Sequence, residues 1–138
     1  MKAELFLDTN VLVYAAAGGQ EEEAKRLRAL ELLEEPGLGL SGQVLQEFYV
    51  TVTRKLASPV PVPEALEWLE LLSIYPVLPI DGFLVQRGAW FSERYRVSYW
   101  DGAILAAAEG LGAPVVYSED LNHGQRYGSV QVLNPFLG

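Results

Sequence analysis

Four acidic residues, drawn from four remote parts of the chain, could work on one substrate: Asp8, Glu47, Asp101 and Asp120. Asp8 lies in Asp8-Thr9-Asn10, directly behind a short apolar run, and Asp120 closes Tyr117-Ser118-Glu119-Asp120 behind another. Glu47 stands about a turn into a helical stretch, and Asp101 falls in the first turn of its own. Carboxylates crowded into one pocket repel, so they are stable together only if cations neutralise them or some take up protons. Mg2+ and Mn2+ are hard cations that prefer oxygen ligands and keep several waters. Such an ion can hold a phosphate oxygen, lower the pKa of a bound water and stabilise the leaving oxygen of an in-line displacement. The chain has no cysteine and a single histidine, His123, so thiolate and multi-histidine sites are excluded. Oxygen coordination is the one rich metal site left.

Each acid also has a structural role open to it. Asp8 has the position of an N-cap for the helix behind it. Ser98-Tyr99-Trp100-Asp101 matches a capping box, with Asp in place of the usual Glu or Gln. Glu47 could be a solvated acid pairing with a nearby Lys or Arg, and Asp120 could cap a turn into Leu121-Asn122-His123-Gly124. Glu119 reads as a further ligand or as a bystander. At Asp101 the residues behind it favour function. Ala103-Ile104-Leu105-Ala106-Ala107-Ala108 is apolar all round, so the helix should be buried, and an acid at its mouth needs a partner.

The elements that must position these groups alternate between strand and helix. Strands are expected at Lys2 to Leu7, Leu38 to Leu40, Val77 to Ile80 and Val115 to Tyr117, with a fifth at Val130 to Leu133. Helices are expected over Val11 to Ala17, Glu21 to Glu35, Gly42 to Ala57, Pro63 to Ser73, Gly82 to Arg94 and Tyr99 to Leu111. Gly18-Gly19 and Pro36-Gly37 break the chain between them, and Ser58 to Pro63 is a proline-rich loop. Ser41, Asp81 and Ser98 are placed to cap the helices that come after them. Strands without polar alternation, separated by helices, predict an α/β fold with a small parallel sheet of four or five strands and helices on both faces. Ligands of such sheets bind outside the carboxyl ends of the strands, where Asp8 and Asp120 fall.

At 138 residues, half of them hydrophobic, the chain suits one domain over 1–138. The formal net charge of −8 argues at first sight against a polyanionic substrate, since nucleic-acid binders usually present a basic surface. Either the substrate is no polyanion, or divalent cations sit between the carboxylates and phosphate. No signal peptide or membrane span is expected, which predicts a soluble cytoplasmic protein. Glu21-Glu22-Glu23 reads as a helix start and Glu31, Glu34 and Glu35 as a solvated face. His123 reads as a loop residue, and Trp68, Trp90 and Trp100 as core or interface. Arg54, Arg94, Arg96 and Arg126, with Lys55, are the candidates for phosphate contacts.

The assembled motifs resemble the PIN-domain ribonucleases, and within them the VapC-type toxins of bacterial toxin–antitoxin pairs. The resemblance runs along essentially the whole chain. It rests on Leu7-Asp8-Thr9-Asn10, Gln46-Glu47-Phe48, Ser98-Tyr99-Trp100-Asp101-Gly102-Ala103, and Tyr117-Ser118-Glu119-Asp120-Leu121-Asn122-His123-Gly124 with the closing Leu133-Asn134-Pro135-Phe136. It implies Mg2+ or Mn2+ as cofactor, one or two ions, and hydrolysis of RNA phosphodiester bonds. Asp8, Glu47, Asp101 and Asp120 fall on the family's acidic positions, Glu47 acting directly or through water. Thr9, Asn10 and Ser118 fall on supporting polar positions. The Glu119-Asp120 pair leaves open which carboxylate leads there. A cognate antitoxin and a homodimer are the implied protein partners.

Two rivals stay open. One is a metal-dependent phosphohydrolase or phosphoacceptor domain on a similar sheet, which generally wants a lysine near the late-strand end. Lys2, Lys25 and Lys55 are the only lysines, and none lies there. The other is a non-catalytic module that binds RNA or an antitoxin through the same acidic pocket. A nucleotide-binding fold is disfavoured, because neither a Gly-x-Gly-x-x-Gly nor a phosphate-loop lysine motif occurs.

Overall fold

A computed structural model describes residues 1–18 and 22–137. The expected break at Gly19 and helix start at Glu21 lie outside the described residues. Six strands form one sheet in the order β3-β2-β1-β4-β6-β5. They are β1 (Leu5–Leu7), β2 (Leu38–Ser41), β3 (Val77–Leu78), β4 (Val115–Tyr117), β5 (Arg126–Tyr127) and β6 (Val130–Leu133). All pairings are parallel except β5 with β6. The helices are α1 (Thr9–Ala17), α2 (Glu23–Leu32), α3 (Gly42–Val50), α4 (Val62–Leu72), α5 (Gly82–Tyr95) and α6 (Tyr99–Gly110).

The chain leaves β1 for β2 and then β3, always in one direction. Right-handed crossovers therefore put α1 to α4 on a single face, with α1 packed on α2 and α3. The return from β3 reverses direction and places β4 on the other side of β1. It carries α5 and α6 onto the opposite face, where α6 packs on β2, β4 and β6. The β1/β4 pair is thus the switch point of the sheet, and a crevice opens at its carboxyl end.

Phe6, Leu7, Leu40, Val116 and Val132 are fully buried in the sheet. Gly102 to Ala108 of α6 are buried on every side, as the uniform apolar run predicts. α5 and α6 approach closely because glycines face each other. A Cβ on Gly102 would stand 2.4 Å from the Gly88 carbonyl oxygen and 2.8 Å from the Ser92 nitrogen. Among the described residues no helix is long and apolar enough to cross a membrane.

Some boundaries differ from expectation. The helix expected over Gly42 to Ala57 keeps α-geometry only to Val50 and continues as a π-helical turn, Thr51–Lys55. The Thr53 hydroxyl donates to the Tyr49 carbonyl at 2.7 Å, which loosens the regular ladder there. The first helix begins at Thr9 rather than Val11, because Asp8 itself is the cap. The first strand is shorter than Lys2 to Leu7, and the third ends at Leu78 rather than Ile80. The sheet is not wholly parallel: β5 adds a sixth, antiparallel strand through a two-residue turn at Gly128-Ser129, with Gly128 at φ 63°. Two residues, one of them Arg126, are too few to carry a periodic signal.

Candidate active site

The pairing of β1 with β4 sets Leu7 opposite Tyr117, so Asp8 and Ser118 are the next residues out of the sheet, side by side. Asp8 N–H closes the ladder on the Tyr117 carbonyl at 3.0 Å, and Ser118 N–H does the same on Leu133 at 3.1 Å. Both side chains are buried. Asp8 Oδ1 accepts the Thr9 N–H at 2.7 Å, and Oδ2 accepts the Ser118 hydroxyl at 2.7 Å. Ser118 Oγ in turn accepts the Asp120 N–H at 3.1 Å. Asn10 Nδ2 donates to Asp120 Oδ2 at 3.0 Å, and Asn10 Oδ1 accepts the Glu119 N–H at 3.4 Å. One network therefore ties the first turn of α1 to the turn behind β4.

Glu47 and Asp101 approach from opposite faces of the sheet. Gln43 links them, a buried residue one helical turn before Glu47. Its amide donates to Glu47 Oε1 at 2.8 Å and to the Trp100 carbonyl, next to Asp101, at 3.2 Å. Ser98 caps α6 by accepting the Asp101 N–H at 3.1 Å, which is the Ser98 half of the expected capping box and uses the backbone of Asp101 rather than its carboxylate. Thr9, Asn10, Val13, Tyr14, Glu47, Thr51 and Asp120 line an open cleft of about 330 Å³. Asp8 is buried beside Thr9 and, like Asp101, is not one of the residues that line it.

The charges sense one another. Burial pushes the Asp8 carboxyl up to about 6; hydrogen bonds from Ser118 and Thr9 oppose the rise, and the charges of Asp120 and Glu47 add to it. Asp101 is raised in the same sense, first by burial, against the Ser98 hydroxyl, and further by Asp120. These are the couplings expected of acids drawn around one space. Tyr127 is raised first by burial and also by the charge of Asp101.

The donors fit a hard cation. They are all oxygen or amide groups, and the Thr9 hydroxyl oxygen is a buried polar atom without a hydrogen-bond partner among the described residues. Among the described residues no three acidic or imidazole groups are gathered tightly enough to enclose an ion by themselves. Mg2+ does not require that, since it typically takes one or two carboxylates and keeps water on its other positions.

The remaining sequence candidates lie around this cleft or apart from it. Glu119 turns away from the cleft: Tyr14 Oη donates to Oε1 at 2.6 Å, and Lys25 Nζ pairs with Oε2. Burial would raise its carboxyl, but the bonds from Lys25 and Tyr14 outweigh burial and lower it. Arg54, Arg94, Arg96 and Arg126 are exposed, line no wall of the cleft and have no ion-pair partner among the described residues. Arg94 lies over the Tyr95 ring at 5.2 Å, and Tyr95 meets Tyr127 edge to face at 5.2 Å. His123 Nδ1 accepts the Asn134 N–H at 2.9 Å, a loop tie as expected. Trp68 packs on Phe48, whereas Trp90 and Trp100 are 45% and 63% exposed and so are not core. Gln43, Tyr14 and Lys25 carry no motif that marks them in the sequence. Only the spacing of Gln43 to Glu47 on one helical face could have signalled the first of them.

The PIN domain family model matches residues 5–128. Solved structures with the same fold include a toxin–antitoxin complex from Klebsiella pneumoniae, at a TM-score of 0.70 and 18% identity over 96% of this chain and 98% of that one. The sarcin-ricin loop cleaving toxin VapC20 of Mycobacterium tuberculosis is similar at 0.67 and 20% identity, over 84% and 89% of the two chains. DNA-bound VapBC from Salmonella typhimurium is similar at 0.64 and 19%, over 94% and 96%. No curated protein matches the chain.

Proposed function

The chain belongs to the PIN domain family, and from that premise we propose that it is a divalent-metal-dependent ribonuclease, the toxin of a toxin–antitoxin pair. The observation that carries this reading is the buried Asp8, tied through Ser118 to Asp120 on the wall of a cleft that Glu47 also lines, with Asp101 sensing the charge of Asp120. Asp8, Asp101 and Asp120, with Glu47 directly or through water, would hold one or two Mg2+ or Mn2+ ions. When bound, the metal supplies a polarised phosphate oxygen and a water of lowered pKa.

The residues of the chain do the positioning. Ser118 and the Thr9 N–H fix both oxygens of Asp8, Asn10 aims Asp120, and Gln43 holds Glu47 against the start of α6. No nucleophilic side chain is needed in this scheme. A cation in the acidic cleft turns it into a phosphate receptor, which reconciles the net charge of −8 with an RNA substrate. Arg54, Arg94, Arg96 and Arg126, all exposed, would meet phosphates flanking the cleft. A cognate antitoxin and a second copy of the chain are the proposed protein partners. Exposed Leu66 and Leu71 on α4, and Phe83, Trp90 and Trp100 on the α5–α6 face, offer apolar surface for such contacts. Action in the cytoplasm follows from the proposed substrate.

The test is cleavage of a mixed-sequence, fluorophore-quenched RNA with Mg2+, Mn2+ or EDTA, beside the Asp8→Asn variant. Cleavage that needs metal and vanishes in Asp8→Asn supports the reading. Activity persisting in EDTA or in the variant overturns it. No cleavage of varied and structured RNAs by folded protein that binds Mn2+ favours a non-catalytic binding module.

A further inference from the structure

Glu119 is the neighbour of Asp120, yet its carboxylate is claimed by two residues from the far end of the chain. Tyr14 of α1 donates to one oxygen and Lys25 of α2 pairs with the other. Lys25 reaches this place by lying over two rings, 5.0 Å from the centroid of Tyr14 and 5.7 Å from that of Phe136. The rings themselves meet edge to face at 5.0 Å. Lys25 Nζ also donates to the Tyr14 hydroxyl oxygen at 3.3 Å, and Glu22 stands 3.9 Å away. The ammonium is thus held by a carboxylate, a hydroxyl and two ring faces.

The other end of Glu119 is pinned as well, because its N–H meets Asn10 Oδ1 and the same Asn10 holds Asp120. The corner from Ser118 to Asp120 is therefore clamped from both sides. Tyr14 is the partition: it lines the cleft, while the Lys25–Glu119 pair joins it through its hydroxyl. Without Lys25 the Glu119 carboxylate would be an unpaired negative charge on the same corner as Asp120, and like charges so placed repel.

We propose that Lys25 is a positioning residue of the cleft: by pairing with Glu119 behind Tyr14 it keeps that carboxylate out of the acidic site and fixes Asp120 within it. The inference rests on the cleft being a divalent-cation site. It makes the Lys25–Glu119 pair part of the metal-binding apparatus, although neither residue would touch the ion.

The experiment compares wild type, Lys25→Met, Lys25→Arg, Glu119→Gln and the Lys25→Met/Glu119→Gln double variant. Bound Mn2+ is titrated by electron paramagnetic resonance, melting is followed with and without Mn2+, and kcat and KM are measured on the quenched RNA. Lys25→Met is expected to weaken Mn2+ binding about 10- to 100-fold and to lower kcat with little change in KM. Lys25→Arg restores both, and the double variant is no worse than the worse single one, because the pair acts as a unit. A Lys25→Met protein that melts earlier but binds Mn2+ and turns over as wild type does overturns the proposal, leaving an ordinary stabilising ion pair. If Lys25→Met cannot be purified, Lys25→Gln takes its place, since it too removes the ammonium while Glu119 keeps its charge; unchanged Mn2+ binding there overturns the proposal. Wild-type protein that neither binds Mn2+ nor cleaves RNA overturns the cation-site reading and this inference with it.

Discussion

The Ser118 hydroxyl donates to Asp8 Oδ2 at 2.7 Å, across 110 residues of sequence, because the β1/β4 register leaves the two residues adjacent at the sheet edge. Ser118 Oγ accepts the Asp120 N–H at 3.1 Å and the Asn10 amide at 3.5 Å, contacts that use its lone pairs and leave its hydrogen for Asp8. Among the described residues the Ser118 bond is the one side-chain hydrogen bond that the buried Asp8 carboxylate accepts, and several consequences can be measured.

Ser118→Ala removes that donor from a carboxylate that cannot turn to solvent. Hydrogen bonds to charged groups contribute about 1.5–3 kcal/mol. Urea unfolding in EDTA at pH 8 should show a loss of that size, and a smaller one at pH 5, where Asp8 is largely protonated. An equal loss at both pH values would mean that the hydroxyl serves packing rather than the charge.

Asp8 also sets a pH dependence. Its carboxyl titrates near 6 in the fold against 3.8 ordinarily, so the folded chain binds its proton more tightly than the unfolded one. Its contribution to stability is greatest below the unfolded value, falls as pH rises from about 4 to 6, and stays low above. The swing is about 3 kcal/mol at most. In EDTA, Asp8→Asn should therefore be the more stable protein at pH 8, with the advantage fading toward pH 4, while Mg2+ raises the melting temperature of wild type alone. Melting curves across this range check it, and a variant less stable than wild type at pH 8 would contradict the burial argument.

Gly102→Ala would drive a methyl group into the Gly88 carbonyl and the Ser92 backbone. Neither is a flexible side-chain tip, so α5 and α6 must part. A loss of about 3 kcal/mol is expected in chemical denaturation. Because Asp101 precedes Gly102, Mn2+ affinity should fall in the same protein. Gly82→Ala, where a Cβ meets nothing within 4 Å, is the control.

Arg96 ends α5 in the left-handed conformation, φ 56°, where glycine is the relaxed residue. Arg96→Gly should stabilise the fold by roughly 1 kcal/mol. If Arg96 meets phosphate, the same change raises KM for RNA and lowers the salt slope of binding by about 1. A gain in stability with RNA binding untouched would remove Arg96 from the interface.

Much of the site was legible because local chemistry fixes it. An acid directly behind an apolar strand, as Asp8 is, sits at a strand's carboxyl end whatever the fold, and a helix apolar on every side, as Ala103 to Ala108 is, must be buried. β5 was not legible, since two residues make no pattern. The end of α3 was missed because the Thr53 back-bond that loosens it uses a residue type common in ordinary helices. The arginines were named from charge alone, and charge gives no direction.

What the sequence determined by itself was the set of acids, their places at element ends, the α/β alternation and the exclusion of thiolate or histidine metal sites. Those depend on residue type and short-range spacing. Only the tertiary structure gave Glu119 and Asp120 different partners: the first is drawn off by Tyr14 and Lys25, and the second is held by Asn10. It alone joined Glu47 to the start of α6 through Gln43. These choices hang on residues about 60 to 110 positions apart, brought together by strand order and helix crossing. Two adjacent carboxylates of like chemistry are told apart only by the groups that come to meet them.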